Sequence, residues 1–187
     1  MPNIPTSTAG SKVIKNGVVS DDAWKLVTLA ADDSLETLEL PTGPLLVPVS
    51  VWRARRAELI NRECEHGWPL GVWLTAEEGP EIIATDVNDF AVIAVEFPRF
   101  ADGRGYSTAR LLRTRYGYKG ELRAIGDVLR DQLFYLQRVG FDAFALRADK
   151  SAEDARASLA DFSAAYQCAA DLSLSLQRRA AATGQAA

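Results

Sequence analysis

Short apolar runs begin near residues 45, 71, 91, 121 and 142, and helical spacing fills most of the gaps between them. The intervals of 26, 20, 30 and 21 residues each hold a strand, a crossover and two short loops. Such βα alternation predicts a mainly parallel sheet, because parallel neighbours need a long, right-handed connection. About five βα units make an α/β domain too short for a complete eight-fold barrel. An open sheet and a truncated, barrel-like sheet both satisfy the pattern.

The run Leu45 to Val49 precedes Ser50, which is placed to N-cap a helix reaching about Cys64. Gly71 to Leu74 is the second run, followed by a short helix within Pro80 to Asn88. Phe90 to Val95 is the strongest strand and ends at Glu96. Ala109, Leu112 and Tyr116 form one face of a helix expected from about Arg104, with Gly117 and Gly120 at its exit. Glu121 to Ile125 is strand-like, and Val128 to Val139 reads as a helix ended by Gly140. Asp142 to Leu146 is the last strand, and Ser151 opens a final helix that should bury Ala155, Leu159, Phe162 and Tyr166. Upstream, Val13-Ile14 and Val18-Val19 flank Asn16-Gly17, the signature of a small hairpin. Trp24, Leu26 and Leu29 are then expected to cap the sheet. A single domain over 12–176 is expected, with disordered ends at 1–11 and 177–187.

Composition narrows the function classes. With 21 basic and 25 acidic side chains the net charge is −4, so no chain-wide basic field points to nucleic acid. The longest clean apolar stretch, Phe90 to Val95, is far short of a bilayer span. MPNIPTSTAGSK has no basic segment leading into an apolar core, and a cytoplasmic location is expected. Cys64 and Cys168 cannot make a disulfide framework or the usual ligand set of an iron–sulfur cluster. Cys64-Glu65-His66 offers two or three metal ligands without a visible fourth, and a helix C-terminus before Gly67-Trp68-Pro69 is the favoured reading. Gly103-x-Gly105 is followed at the third position by Thr108, so it departs from a dinucleotide fingerprint. No cofactor and no metal site is evident.

In parallel α/β sheets, sites collect at the C-terminal ends of the strands. That rule selects Glu96 to Tyr106 and Gly126 to Asp131. Residues 96–132 carry eight basic and five acidic side chains, a local +3 against −7 for the rest of the chain. Asp102-Gly103-Arg104-Gly105-Tyr106-Ser107 opens a helix, where free N–H groups and an arginine fork favour an anion. Arg99, Gly103, Arg104, Gly105, Tyr106, Arg123 and Arg130 are the candidate residues for a small oxyanion or phosphate-bearing ligand. The same turn is also explained by Asp102 capping the helix while Arg104 pairs with a carboxylate. Glu96, Asp102 and Asp127 are the candidate acid–base groups. An ion-pair network, for instance Glu96 with Arg99 or Arg123, accounts for the same charges. All four tryptophans, Trp24, Trp52, Trp68 and Trp73, fall in the first 73 residues. Trp73 is expected in the core, and Trp68 beside Pro69 is the candidate partner surface.

FPRFADGRGYSTARLLRTRYGYKGELRAIGDVLRDQLFYLQRVGFDAFAL, residues 97–146, resembles the core of a bacterial family of unknown function. The likeness is carried by DGRGYS at 102–107, ELRAIGDVLRDQ at 121–132 and GFDAF at 140–144. It continues to about Tyr166 and, more loosely, back to about Leu45. Members of that family are commonly encoded beside the assimilatory sulfite reductase and described as probable oxidoreductases in sulfite reduction. The resemblance implies a role in sulfur assimilation, as an accessory protein or oxidoreductase that binds a sulfur oxyanion or the sulfite reductase. It brings no established catalytic residues. The residues alone also allow a cofactor-independent enzyme acting on a small anionic substrate.

Overall fold

Sequential strand order dominates the architecture. In the computed structural model, which describes residues 11–30, 33–162 and 169–170, eight strands form one sheet. They are β1 (Lys12–Lys15), β2 (Val18–Asp21), β3 (Lys25–Leu26), β4 (Leu45–Pro48), β5 (Leu70–Leu74), β6 (Val92–Phe97), β7 (Glu121–Gly126) and β8 (Ala143–Phe144). Their order across the sheet is β2-β1-β8-β7-β6-β5-β4-β3. From β3 to β8 every neighbouring pair is parallel, while β1 and β2 form an antiparallel hairpin against β8. The expected hairpin turn is present, with Asn16 at φ 49° and Gly17 at φ 75°.

Because β4 to β8 advance one neighbour at a time, right-handed crossovers place all their connections on one face. Those connections contain α1 (Val49–His66), two 3-10 turns at Pro80–Ile83 and Val87–Asp89, α2 (Arg104–Thr114) and α3 (Leu133–Val139). The principal core lies between them and the sheet: Trp52, Leu59, Ile83, Ala109, Leu112, Leu133 and Leu136 meet Val47, Val72, Ile93, Val95 and Leu122. Alternate strand residues face the other way. Leu46, Trp73, Val92, Ala94 and Ile125 form a smaller cluster covered by Trp24, Leu26 and Ala145.

The sheet is strongly curled. Laid flat, eight strands at about 4.8 Å spacing would hold the edge strands about 34 Å apart. Yet only Asp22, Ala23 and Trp24 join β2 at one edge to β3 at the other. Four Cα steps cover at most about 15 Å, so the edges must approach and the smaller cluster lies on a concave inner face. The fold is therefore α/β with a mostly parallel, half-barrel sheet and an N-terminal hairpin.

Several local expectations are corrected. Helix α1 starts at Val49, directly from the strand, because Pro48 is still registered against Trp73; Ser50 lies inside the first turn and does not cap it. β6 runs from Val92 to Phe97, and Phe90 instead meets Trp52 edge-on, with ring centroids 5.0 Å apart. The helix expected over Val128–Val139 starts as a 3-10 turn at Arg130–Gln132, and only Leu133 onward is α-helical. β8 is shorter than the expected Asp142–Leu146 strand, covering only Ala143–Phe144; the Asp142 side chain accepts from the Leu122 N–H (2.8 Å) and from Arg113 (2.7 Å). Ser151 Oγ does cap α4 (Ala152–Arg156) through the Asp154 N–H, at 3.2 Å. That helix gives way to a 3-10 turn at Ala157–Ala160, which loses the α-helical spacing and leaves Phe162 58% exposed rather than buried. Lys25 and Leu26 add a strand that the sequence pattern did not indicate. Tyr166, Cys168, residues 1–10 and residues 177–187 lie outside the described residues.

Candidate functional site

The C-terminal ends of β6, β7 and β8 converge on one corner. Glu96 is the last inward residue of β6, beside Ile125 of β7 in register. It is 5% exposed, and no hydrogen bond or ion pair among the described residues reaches its carboxylate. Burial first, and the nearby Glu78 charge second, push its carboxyl up from the ordinary value. Glu78 is held at the end of β5 by the Thr75 N–H, 2.8 Å from its Oε2. A buried, unpaired carboxyl at a strand end is placed as an acid–base group would be.

In the DGRGYS turn, Arg104 is committed to Asp102. Asp102 accepts from the Arg104 backbone N–H (3.1 Å), from Arg104 Nε (3.1 Å) and from its Nη2 (2.7 Å). Those bonds lower the Asp102 carboxyl to about 2. The chain thus places its own carboxylate at the start of α2, where an external anion would bind. Arg104 Nη1 also lies 4.0 Å from Glu77. Gly103 faces open space, whereas a Cβ on Gly105 would sit 2.6 Å from the Phe97 ring. The second glycine therefore serves close packing of α2 on β6. Tyr106 continues that contact, edge-on to Phe97 at 5.5 Å, and burial raises its hydroxyl above the usual range.

Asp127 ties the three strand ends together. Its N–H donates to Phe97 O (2.7 Å), and its carboxylate accepts from the Phe100 N–H (2.9 Å) and from Arg147 (3.1 Å). Gln132 completes the brace, accepting from the Leu129 N–H (3.0 Å) and donating to Phe100 O (3.1 Å). Both backbone groups of Phe100 are thus pinned, while the residue is 48% exposed. Arg99 is exposed beside it and makes no ion pair among the described residues. Arg130 is exposed one brace away, only loosely facing Asp131 at 3.7 Å. Phe100, Gln132 and Arg147 were not candidates from the sequence. A phenylalanine in a loop carries no signal of its own until its backbone partners are known.

Two candidates lie elsewhere. Arg123, on the concave face, donates to Glu121 (2.6 Å) and to both oxygens of Asp22 (2.9 Å), and Glu121 also takes Lys15 at 2.7 Å. Arg123, Glu121 and Asp22 are almost wholly buried, so the Arg123 fork is committed to its own chain and not to Glu96. Trp68 precedes β5, half-buried, with the His66 ring 4.4 Å and the Arg62 guanidinium 4.6 Å from its ring. Trp73 lies inside as expected, its indole donating to Val27 O at 2.9 Å. Cys64 and His66 are exposed, and among the described residues no three His, Cys, Asp or Glu side chains gather as metal ligands. No helix among the described residues is long and apolar enough to cross a membrane.

No curated protein matches the chain. A family model, for a bacterial protein of unknown function (DUF934), matches residues 71–176, more than half of the sequence. That span takes in β5 to β8 and the whole braced corner with Glu96, Phe100, Asp102, Asp127 and Gln132. The chain therefore belongs to the DUF934 family of bacterial proteins of unknown function.

Proposed function

We propose that the protein is an accessory component of assimilatory sulfite reduction that works by engaging the sulfite-reducing enzyme. The pathway rests on the resemblance carried by DGRGYS, ELRAIGDVLRDQ and GFDAF. The mode of action rests on one observation: the backbone N–H and the guanidinium of Arg104 are spent on Asp102, while Asp127 and Gln132 brace the loop at Phe100. A sulfur oxyanion at the start of α2 would have to displace Asp102 from three hydrogen bonds. Deleting the gene and growing the strain on sulfate, sulfite or sulfide tests the reading. Failure on sulfate and sulfite with rescue by sulfide is the expected result; normal growth on all three sinks it.

Glu96 favours a second reading, a cofactor-independent enzyme on a small anionic substrate with Glu96 as its acid–base group. Its carboxylate is buried and unpaired at a strand end. Under this reading Glu96→Gln abolishes complementation of the deletion while the protein keeps its fold. Under the accessory reading the same variant complements.

A further inference from the structure

Two carboxyls meet at the adjoining ends of β5 and β6. Leu74 and Val95 are the last registered pair of those strands, so Thr75 and Glu96 follow side by side. The Thr75 N–H holds the Glu78 carboxylate at 2.8 Å and so keeps it at the Glu96 end of the sheet. Glu96 points into the concave face, in line with Val92 and Ala94 of its own strand and beside Ile125 of β7. It is 5% exposed and takes no hydrogen bond or ion pair among the described residues. Arginines of the neighbouring strands and loops are held by other acids: Arg123 by Asp22 and Glu121, Arg104 by Asp102, and Arg147 by Asp127 and Asp149. A buried carboxyl without a donor is costly, and a second carboxylate nearby makes the local field negative. What this end of the concave face lacks is a positive charge.

The surroundings decide which kind of cation fits. A hard divalent ion takes about six oxygen ligands. No third His, Cys, Asp or Glu joins the two carboxyls among the described residues, and Ile125 and Ala145 on the β7 and β8 side carry no side-chain oxygen. An organic cation needs fewer acceptors and gains from the apolar neighbours. We propose that Glu96 and Glu78 form a binding site for the ammonium group of a small organic ligand whose apolar part lies against Ile125. This rests on the reading in which Glu96 is the acting group, and adds that a substrate presents an amine there; an anionic substrate at this site is a zwitterion.

The test is titration of the full chain with n-butylammonium chloride at pH 8 and constant ionic strength, followed by amide chemical shifts. The probe stays charged there, because an alkylamine holds its proton to about pH 10. Wild type is expected to show saturable shifts at the Thr75, Glu96 and Ile125 amides. Glu96→Gln should weaken the binding about tenfold, as loss of one charge-assisted hydrogen bond does, and Glu78→Gln about threefold. Neutral n-butanol at the same concentrations should leave those amides unmoved, and so should magnesium chloride. Unaltered thermal midpoints or higher ones show that each variant is folded. Absence of saturable shifts in wild type, equal affinity in Glu96→Gln, or the same shifts with n-butanol overturns the ammonium site. The reading of Glu96 as an acid–base group is judged separately: if Glu96→Gln fails to complement the deletion, that reading stands even when the probe does not bind. If Glu96→Gln complements while its ammonium affinity is lost, the site stands as a binding site and the catalytic reading falls.

Discussion

Glu96 illustrates how one residue's position in a strand sets its chemistry. Alternation along β6 turns Ile93, Val95 and Phe97 toward the helices and Val92, Ala94 and Glu96 toward the concave face. There the carboxyl is removed from water without gaining a donor, and its proton affinity rises. The consequence for stability has a definite sign. As pH rises, the unfolded chain ionises Glu96 at about 4.3, while the native state still holds the proton. The native state then binds more protons than the unfolded one, so stability falls with pH until the folded value is passed. Glu96→Gln removes that loss. Its thermal midpoint should match wild type near pH 4 and exceed it at pH 8. An advantage that is absent, or that grows toward acid, contradicts burial as the cause.

At the level of elements, the β6–β7 pair governs the corner. Gly126 is registered against Phe97 with φ 95°, and a Cβ there would lie 2.4 Å from Phe97 O. Neither the backbone conformation nor the neighbouring carbonyl can yield, since that carbonyl accepts the Asp127 N–H. Gly126→Ala should cost about 3 kcal/mol, combining a positive-φ penalty with overpacking. Urea unfolding measures the loss, and hydrogen exchange should show the Phe100 and Asp127 amides losing protection together. Gly103→Ala, in open space at φ −89°, should be nearly neutral. Sequence inspection singles out Gly103 and Gly105 from their pattern, whereas the glycine under the tightest backbone constraint is Gly126.

On the scale of the whole molecule, the curl of the sheet depends on a short strap. Asp22 to Trp24 crosses between the sheet edges, with Trp24 packed on the concave cluster and Asp22 bonded to Arg123. Arg123 is 2% exposed and pairs with both Glu121 and Asp22, while Lys15 supplies the second cation to Glu121. Removing a buried partner leaves uncompensated charge and costs about 3–5 kcal/mol. Arg123→Ala should therefore lower the urea midpoint sharply and expose Trp24, read as a red shift of its emission. A midpoint within experimental error of wild type would show that the strap is held by Trp24 packing alone. A comparison variant separates buried from exposed arginines: Arg99→Ala should change stability little, because Arg99 is exposed and makes no ion pair among the described residues.

The order and kind of the main elements were legible in the chain itself. Apolar runs at intervals of 20 to 30 residues imply β4 to β8 and their parallel sense, and Asn16-Gly17 implies the hairpin. These features are local, set by side-chain period and turn chemistry within a few residues. The corner was half legible, since the strand-end rule located Glu96, Asp102 and Asp127 without their partners. Which charges stay available depends on contacts between distant segments: Arg123 meets Asp22, 101 positions away, and Asp127 meets Phe100 at 27. Local sequence determined that this segment is rich in arginine. Only the tertiary fold decided that Arg104 and Arg123 are consumed by their own chain while Phe100 and Arg99 face outward, because pairing and burial depend on proximity in space.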